Sequence, residues 1–85
     1  MNIKYVLFAT KNDRIFYISN TEPFIWSSEI SQAKLYDSRY SAEYDILRKY
    51  ENYISITKQL ESHSIDNVYV SKVINMIETE RYKLL

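Results

Sequence analysis

The stretch NIKYVLFATKNDRIFYISN, residues 2 to 20, carries the clearest structural signal in the sequence. Residues 2 to 10 are rich in β-branched and aromatic side chains and have no helix cap before them, which is typical of a strand. Asn12 and Asp13 follow, and both residue types tolerate the left-handed backbone of a tight turn. RIFYISN then returns as a second strand. The stretch therefore predicts a β-hairpin.

Beyond the hairpin, NTEPF interrupts the strand pattern because Pro23 lacks an amide donor. The next segment is an apolar cluster that we expect to lie in a loop: Phe24, Ile25 and Trp26. Ser27 or Ser28 can cap a single short helical turn over EISQA. KLYD, residues 34 to 37, is long enough for one brief third strand.

A long helix is predicted next. Ser38 is placed to cap it, and from Arg39 to about Ser62 there is neither Gly nor Pro. Six large apolar side chains fall close to one stripe at three- and four-residue spacings: Tyr40, Tyr44, Leu47, Tyr50, Ile54 and Leu60. In a rival interpretation the helix ends near Asn52 and YISITKQL, residues 53 to 60, is a strand.

The segment DNVYVSKVINMIE, residues 66 to 78, fits both a helical face and one face of a strand. Its three valines and two isoleucines within ten residues favour the strand. The tail RYKLL either extends the sheet edge or stays loose. The predicted fold class is α+β, with a small, mostly antiparallel sheet of three or four strands and one long helix across a face.

Length and composition restrict the class of protein. With 85 residues we expect a single domain spanning residues 1 to 85. Eleven basic and eleven acidic residues cancel, so the chain lacks the net field of a general nucleic-acid binder. No Cys is present, which suits a reducing cytoplasm. The apolar run at the N-terminus is too short for a signal peptide or a membrane span, so we expect a soluble cytoplasmic protein.

Two residue types are used unusually. Gly is absent, so we expect Asn or Asp at any position with positive φ. Tyr occurs nine times, and two explanations stay open. The tyrosines either build a small core or form a recognition surface, since Tyr is enriched at interfaces.

The sequence contains no pattern that indicates catalysis. His63 is the only histidine, and with Glu61 and Asp66 it makes a poor metal site, so we expect an exposed loop histidine. It is also the only conventional base for a serine nucleophile. Glu43 and Asp45 diverge on a helix and are expected to be surface charges. We therefore predict neither an enzyme nor a cofactor or metal site.

Nucleic-acid binding has a weak compositional basis. Arg39, Arg48 and Lys49 lie with Tyr40 and Tyr44 along the predicted helix, as backbone contacts and base stacking require. Acidic residues interleave with these cations, and such alternation is typical of a solvated helix face. We do not expect nucleic acid as the main partner.

Several segments together resemble short proteins encoded by phages and prophages of low-GC Gram-positive bacteria. They are KYVL, FYIS, the aromatic step at Trp26, EISQAKLYDS, SAEYDIL and VYVSKV, and they span most of residues 3 to 74. The resemblance implies a noncatalytic protein that binds and inhibits or modulates a host protein. A CRISPR or other defence component is one such target, as for anti-CRISPR proteins. The resemblance transfers no individual functional residue.

We predict a host protein as partner and place its binding surface at Phe24, Trp26, Arg39 and Tyr40, because binding residues concentrate on loops held by a rigid scaffold. The structural alternative is that Phe24 and Trp26 are buried. A binder that sequesters a nucleotide signal or another small ligand is the rival class of function. We also expect a homodimer, with free edges at the second or fourth strand, and no membrane association.

Overall fold

The computed structural model describes residues 2–85 and confirms the α+β class. A five-stranded antiparallel sheet has the order β3-β2-β1-β4-β5. Its strands are β1 (Ile3–Lys11), β2 (Arg14–Thr21), β3 (Phe24–Ser27), β4 (Asn67–Ile74) and β5 (Ile77–Lys83). Two α-helices cross one face, α1 (Arg39–Glu43) and α2 (Tyr50–Ser62).

The predicted hairpin is confirmed as β1 and β2. Asn12 and Asp13 have φ of 50° and 64°, the left-handed pair that a two-residue hairpin turn requires. Asn75 and Met76 repeat this geometry, with φ of 53° and 64°, between β4 and β5. Positive φ also occurs at Ser64, so the expectation that only Asn and Asp would occupy such positions is wrong at Ser64 and Met76.

The predicted third strand is wrong in its position. Residues 24 to 27, expected to be a loop, form β3 against β2, with Ile18 opposite Trp26. Residues 34 to 37 make only a single bridge between Tyr36 and Tyr5. The short helical turn is confirmed as a 3-10 turn over Ile30–Gln32. Which of these two segments becomes a strand depends on backbone pairing with β2, and a local sequence pattern does not show such pairing.

The predicted long helix begins where expected but is interrupted. Ser38 caps α1 by accepting a hydrogen bond from the Ser41 amide at 3.0 Å. A π-helical turn over Tyr44–Arg48 follows, and Lys49 leaves the helical region with ψ of 110° before α2 begins. Residues 53 to 60 are helical, so the rival interpretation as a strand is wrong.

The C-terminal part is more regular than expected. The strand predicted over residues 66 to 78 is confirmed as β4, but it ends at a turn. The tail RYKLL largely belongs to β5, which makes the sheet five-stranded rather than three- or four-stranded.

Different side chains pack against the two faces of the sheet. The main core lies between the sheet and the helices and contains nine buried side chains: Leu7, Ala9, Ile18, Tyr36, Ala42, Ile46, Ile56, Val68 and Val70. A smaller cluster of Val6, Ala33 and Val73 lies on the opposite face. Ala33 therefore packs away from the helices. Phe8 is fully buried on that face, with the Arg81 guanidinium 4.9 Å from its ring centroid.

Candidate functional site

Phe24 and Trp26, two of the predicted partner-binding residues, lie side by side on β3. Their ring centroids are 6.2 Å apart with an interplanar angle of 20°. Both side chains are half-buried and pack against the main core. The Trp26 indole donates a hydrogen bond from Nε1 to Gln59 Oε1 of α2 at 2.9 Å. The pair therefore closes one end of the core and also has an exposed part.

These two rings line an open pocket of about 540 Å³ between the sheet and the end of α2. Its walls are mainly apolar, and its polar groups come from a lysine, a glutamine and the only histidine. We call it the aromatic pocket. It is lined by Ala9, Lys11, Phe16, Phe24, Trp26, Gln59, His63 and Ile65. His63 is exposed, as the sequence predicted.

Arg39 and Tyr40, the other two predicted residues, lie elsewhere. Arg39 begins α1, and its guanidinium stands 3.7 Å from the ring centroid of Tyr82 while Nε donates to Glu43 at 2.6 Å. Tyr40 is 66% exposed, and its ring centroid is 6.1 Å from that of Tyr44. The four predicted residues thus divide between two regions, and neither Arg39 nor Tyr40 lines the aromatic pocket.

Tyr40 belongs to a group of exposed tyrosines on the helical layer. We call this group the tyrosine face, and its members are two pairs: Tyr40 and Tyr44, whose rings lie close together, and Tyr50 and Tyr53, three residues apart on α2. Tyr40, Tyr44 and Tyr50 were expected to share a stripe with apolar core residues, and that assignment is wrong. The buried positions are instead Ala42, Asp45 and Ile46 before the interruption at Lys49, and Asn52 and Ile56 after it.

A shallow pocket of about 350 Å³ adjoins the tyrosine face. It is lined by Lys34, Tyr36, Tyr40, Ser41, Tyr44, Asp45 and Lys49. Glu22, in the turn between β2 and β3, accepts a hydrogen bond from Lys49 Nζ at 3.0 Å. The turn that precedes β3 therefore lies next to this pocket, although Phe24 and Trp26 line the other one.

Asp45 forms the floor of the shallow pocket and is buried, so its assignment as a surface charge is wrong. One carboxylate oxygen accepts hydrogen bonds from Thr21 at 3.2 Å, Lys34 at 3.0 Å and Tyr36 at 2.5 Å. The other accepts from Asn52 Nδ2 at 3.1 Å, and Lys49 Nζ lies 3.4 Å away. No sequence motif signals this site, because its donors come from three separate segments: β2, the connection before α1, and the start of α2.

The electrostatics of this site keep the Asp45 carboxyl ionised and the Tyr36 hydroxyl protonated. Burial opposes ionisation of the Asp45 carboxyl, but hydrogen bonds from Tyr36 and Lys34 outweigh it and lower the pKa of Asp45 below its ordinary value. Burial, followed by the hydrogen bond to Asp45, raises the pKa of Tyr36 well above its ordinary range. Asp45 is therefore an ionised acceptor whose oxygens are already occupied, which is a structural arrangement rather than that of a general base.

Within residues 2–85 no three His, Cys, Asp or Glu side chains are grouped so that they could hold a metal ion. No helix in the same part of the chain is long and apolar enough to cross a membrane. Comparison of the chain with protein-family models, with curated proteins and with solved structures gives no match.

Proposed function

We propose that this chain is a noncatalytic protein that binds a host protein and inhibits or modulates it, in the manner of the phage-encoded proteins its sequence resembles. The observation that carries the proposal is the tyrosine face. Tyr50 is 76% exposed and Tyr40 66% exposed, although each ring could bury a large apolar area. Tyr is enriched at protein interfaces and among the residues that dominate binding energy.

The charges around the tyrosine face favour a protein over nucleic acid as the partner. Lys34 pairs with Asp45, Arg39 with Glu43, and Lys49 with both Glu22 and Asp45. Of the three cations predicted along this helix, only Arg48 has no ion pair within residues 2–85, so little uncompensated positive charge remains for a phosphate backbone. A partner that buries aromatic rings and meets balanced charges at the rim fits this surface better.

Capture experiments with matched variants test the proposal. The tagged chain, incubated with lysate of a low-GC Gram-positive host, is expected to retain one protein in stoichiometric amount. If that protein is a CRISPR or other defence component, mass spectrometry will identify it. Tyr40→Ala combined with Tyr44→Ala should weaken its binding about thirtyfold or more, since an interface hot spot contributes about 2 kcal/mol or more.

Ile25→Ala provides the control, because Ile25 is 50% exposed and lies outside the tyrosine face. It should leave capture unchanged, while circular dichroism establishes that both variants fold. Recovery of no stoichiometric protein would count against the proposal. Equal capture by the folded double variant would remove the tyrosine face as the binding surface.

A further inference from the structure

The aromatic pocket has the volume and walls of a small-molecule site. Its size of about 540 Å³ lies within the range of roughly 300 to 1,000 Å³ that is common for ligand pockets. Phe24 and Trp26 present nearly parallel rings, and Phe16 comes from the neighbouring strand β2. Such walls suit an apolar body of hydrocarbon or aromatic character.

The rim of the pocket carries positive charge without an internal counter-ion. Lys11 lines the aromatic pocket and also an adjoining hollow that it shares with Arg14 and Phe16. Within residues 2–85 neither Lys11 nor Arg14 has an acidic group within ion-pair distance. Of the neighbouring acids, Asp66 accepts a hydrogen bond from the Asn12 amide at 3.1 Å, and it does not line the pocket.

We propose that the aromatic pocket binds a small organic monoanion, an apolar body that ends in one carboxylate held by Lys11. The residues lining the pocket include no acid and one lysine, so a single negative charge matches it better than a polyphosphate does. Gln59 and His63 supply further polar groups at the wall. This site is independent of the tyrosine face, because none of the four exposed tyrosines lines it.

Trp26 provides a direct readout, since it is the only tryptophan and lies in the pocket wall. The test uses three ligands that share one apolar body and absorb little at the excitation wavelength of Trp: 4-phenylbutyrate, 4-phenylbutanamide and 4-phenylbutylamine. Each is titrated into the full chain while Trp26 emission is followed. We expect a saturable change in Trp26 emission with the carboxylate. The affinity for the amide should be about fivefold weaker, and that for the amine weaker still.

Substitutions distinguish the contribution of the Lys11 charge to binding from that of the apolar wall. Lys11→Gln should bring the carboxylate and amide affinities together, while Phe16→Ala should weaken both ligands alike. Lys72→Gln is the matched control, since Lys72 is also a half-buried strand lysine without an ion pair among the described residues and does not line the pocket. It should keep the preference for the carboxylate. Circular dichroism checks that all three variants fold.

Several outcomes would overturn the proposal. They are absence of a saturable change with the carboxylate, equal affinity for carboxylate and amide, and an undiminished preference in folded Lys11→Gln. A Trp26 emission that depends on protein concentration and not on ligand would show that a second copy occupies the pocket instead. None of these results bears on capture through the tyrosine face, so the two proposals fail separately.

Discussion

At the scale of single residues, Asp45 joins the helical layer to the sheet. Its carboxylate accepts hydrogen bonds from Thr21 of β2, from Lys34 and Tyr36 in the connection before α1, and from Asn52 of α2. Asn52 also donates to the Asp45 carbonyl oxygen at 2.9 Å across the interruption at Lys49. In a domain of this size, one such buried acceptor affects four segments at once.

Asp45→Asn should therefore lower the free energy of unfolding by about 1 to 3 kcal/mol, because an amide turns a donor towards groups that are themselves donors. Urea denaturation of both proteins measures this difference. Asp37→Asn is the control, since Asp37 is exposed and accepts from Lys4 at the surface. It should change stability little, and an Asp45→Asn protein as stable as this control would contradict the structural role.

The lowered pKa of Asp45 also predicts that the free energy of unfolding depends on pH. The pKa of Asp45 in the folded state lies below the ordinary value of 3.8, so the unfolded chain takes up this proton first as the pH falls. Its contribution is therefore complete above the ordinary value and is lost as the pH falls through the folded-state pKa. The stability gap between the native chain and Asp45→Asn should stay constant from about pH 7 to about pH 5 and narrow as the pH falls below about 4, and a gap that is unchanged in the acid range would refute the assignment.

At the scale of elements, the β1–β2 hairpin could be predicted because its signal is local: alternating strand residues on both sides of Asn12 and Asp13. Position 13 also offers a test. Asp13 adopts φ of 64°, where Gly has no steric penalty, and Asn-Gly is the preferred pair in this turn. Asp13→Gly should raise the free energy of unfolding by about 1 kcal/mol, as measured by urea denaturation.

Asp13→Val serves as the opposite control, since a β-branched residue at positive φ is strained. It should lower stability. If both substitutions shift the denaturation midpoint in the same direction, the turn geometry does not determine the stability of the hairpin.

The elements that sequence reasoning misplaced depend on contacts between distant residues. β3 forms because Trp26 pairs opposite Ile18 and bonds to Gln59, which lies 33 positions later in the chain. The π-helical turn before the interruption at Lys49 contains Asp45, whose partner Thr21 lies 24 positions earlier. A helical stripe read from spacing alone cannot anticipate either contact, so it assigned exposed tyrosines to the core. The same error hid the tyrosine face, of which only Tyr40 was predicted as a binding residue.

At the scale of the whole molecule, the free sheet edges are β3 and β5, not the second and fourth strands as predicted. β3 has only four residues, which offers little pairing. β5 reads IETERYK, and pairing two copies about its middle would bring Glu80 or Arg81 against its own counterpart. Like charges directly opposite each other are destabilising, so the charges on β5 disfavour pairing of the sheet edges.

The expected homodimer therefore needs another surface, and a row of isoleucines offers one. Ile3, Ile74 and Ile77 lie opposite one another across β1, β4 and β5. Ile77 is 69% exposed and Ile3 38% exposed, so the row presents apolar area to solvent. A two-fold axis through this row would bury the same residues on both copies, as a self-complementary interface requires.

We predict that the chain self-associates through this isoleucine row, because pairing removes its exposed apolar side chains from water. Light scattering at about 100 μM should give a dimer mass for the native chain and a monomer mass for Ile77→Lys, whose charge would be buried in the interface. Ile25→Lys, at another exposed isoleucine, should remain dimeric. A monomer mass for the native chain at this concentration would remove the prediction, and a dimer that survives Ile77→Lys would place the interface elsewhere.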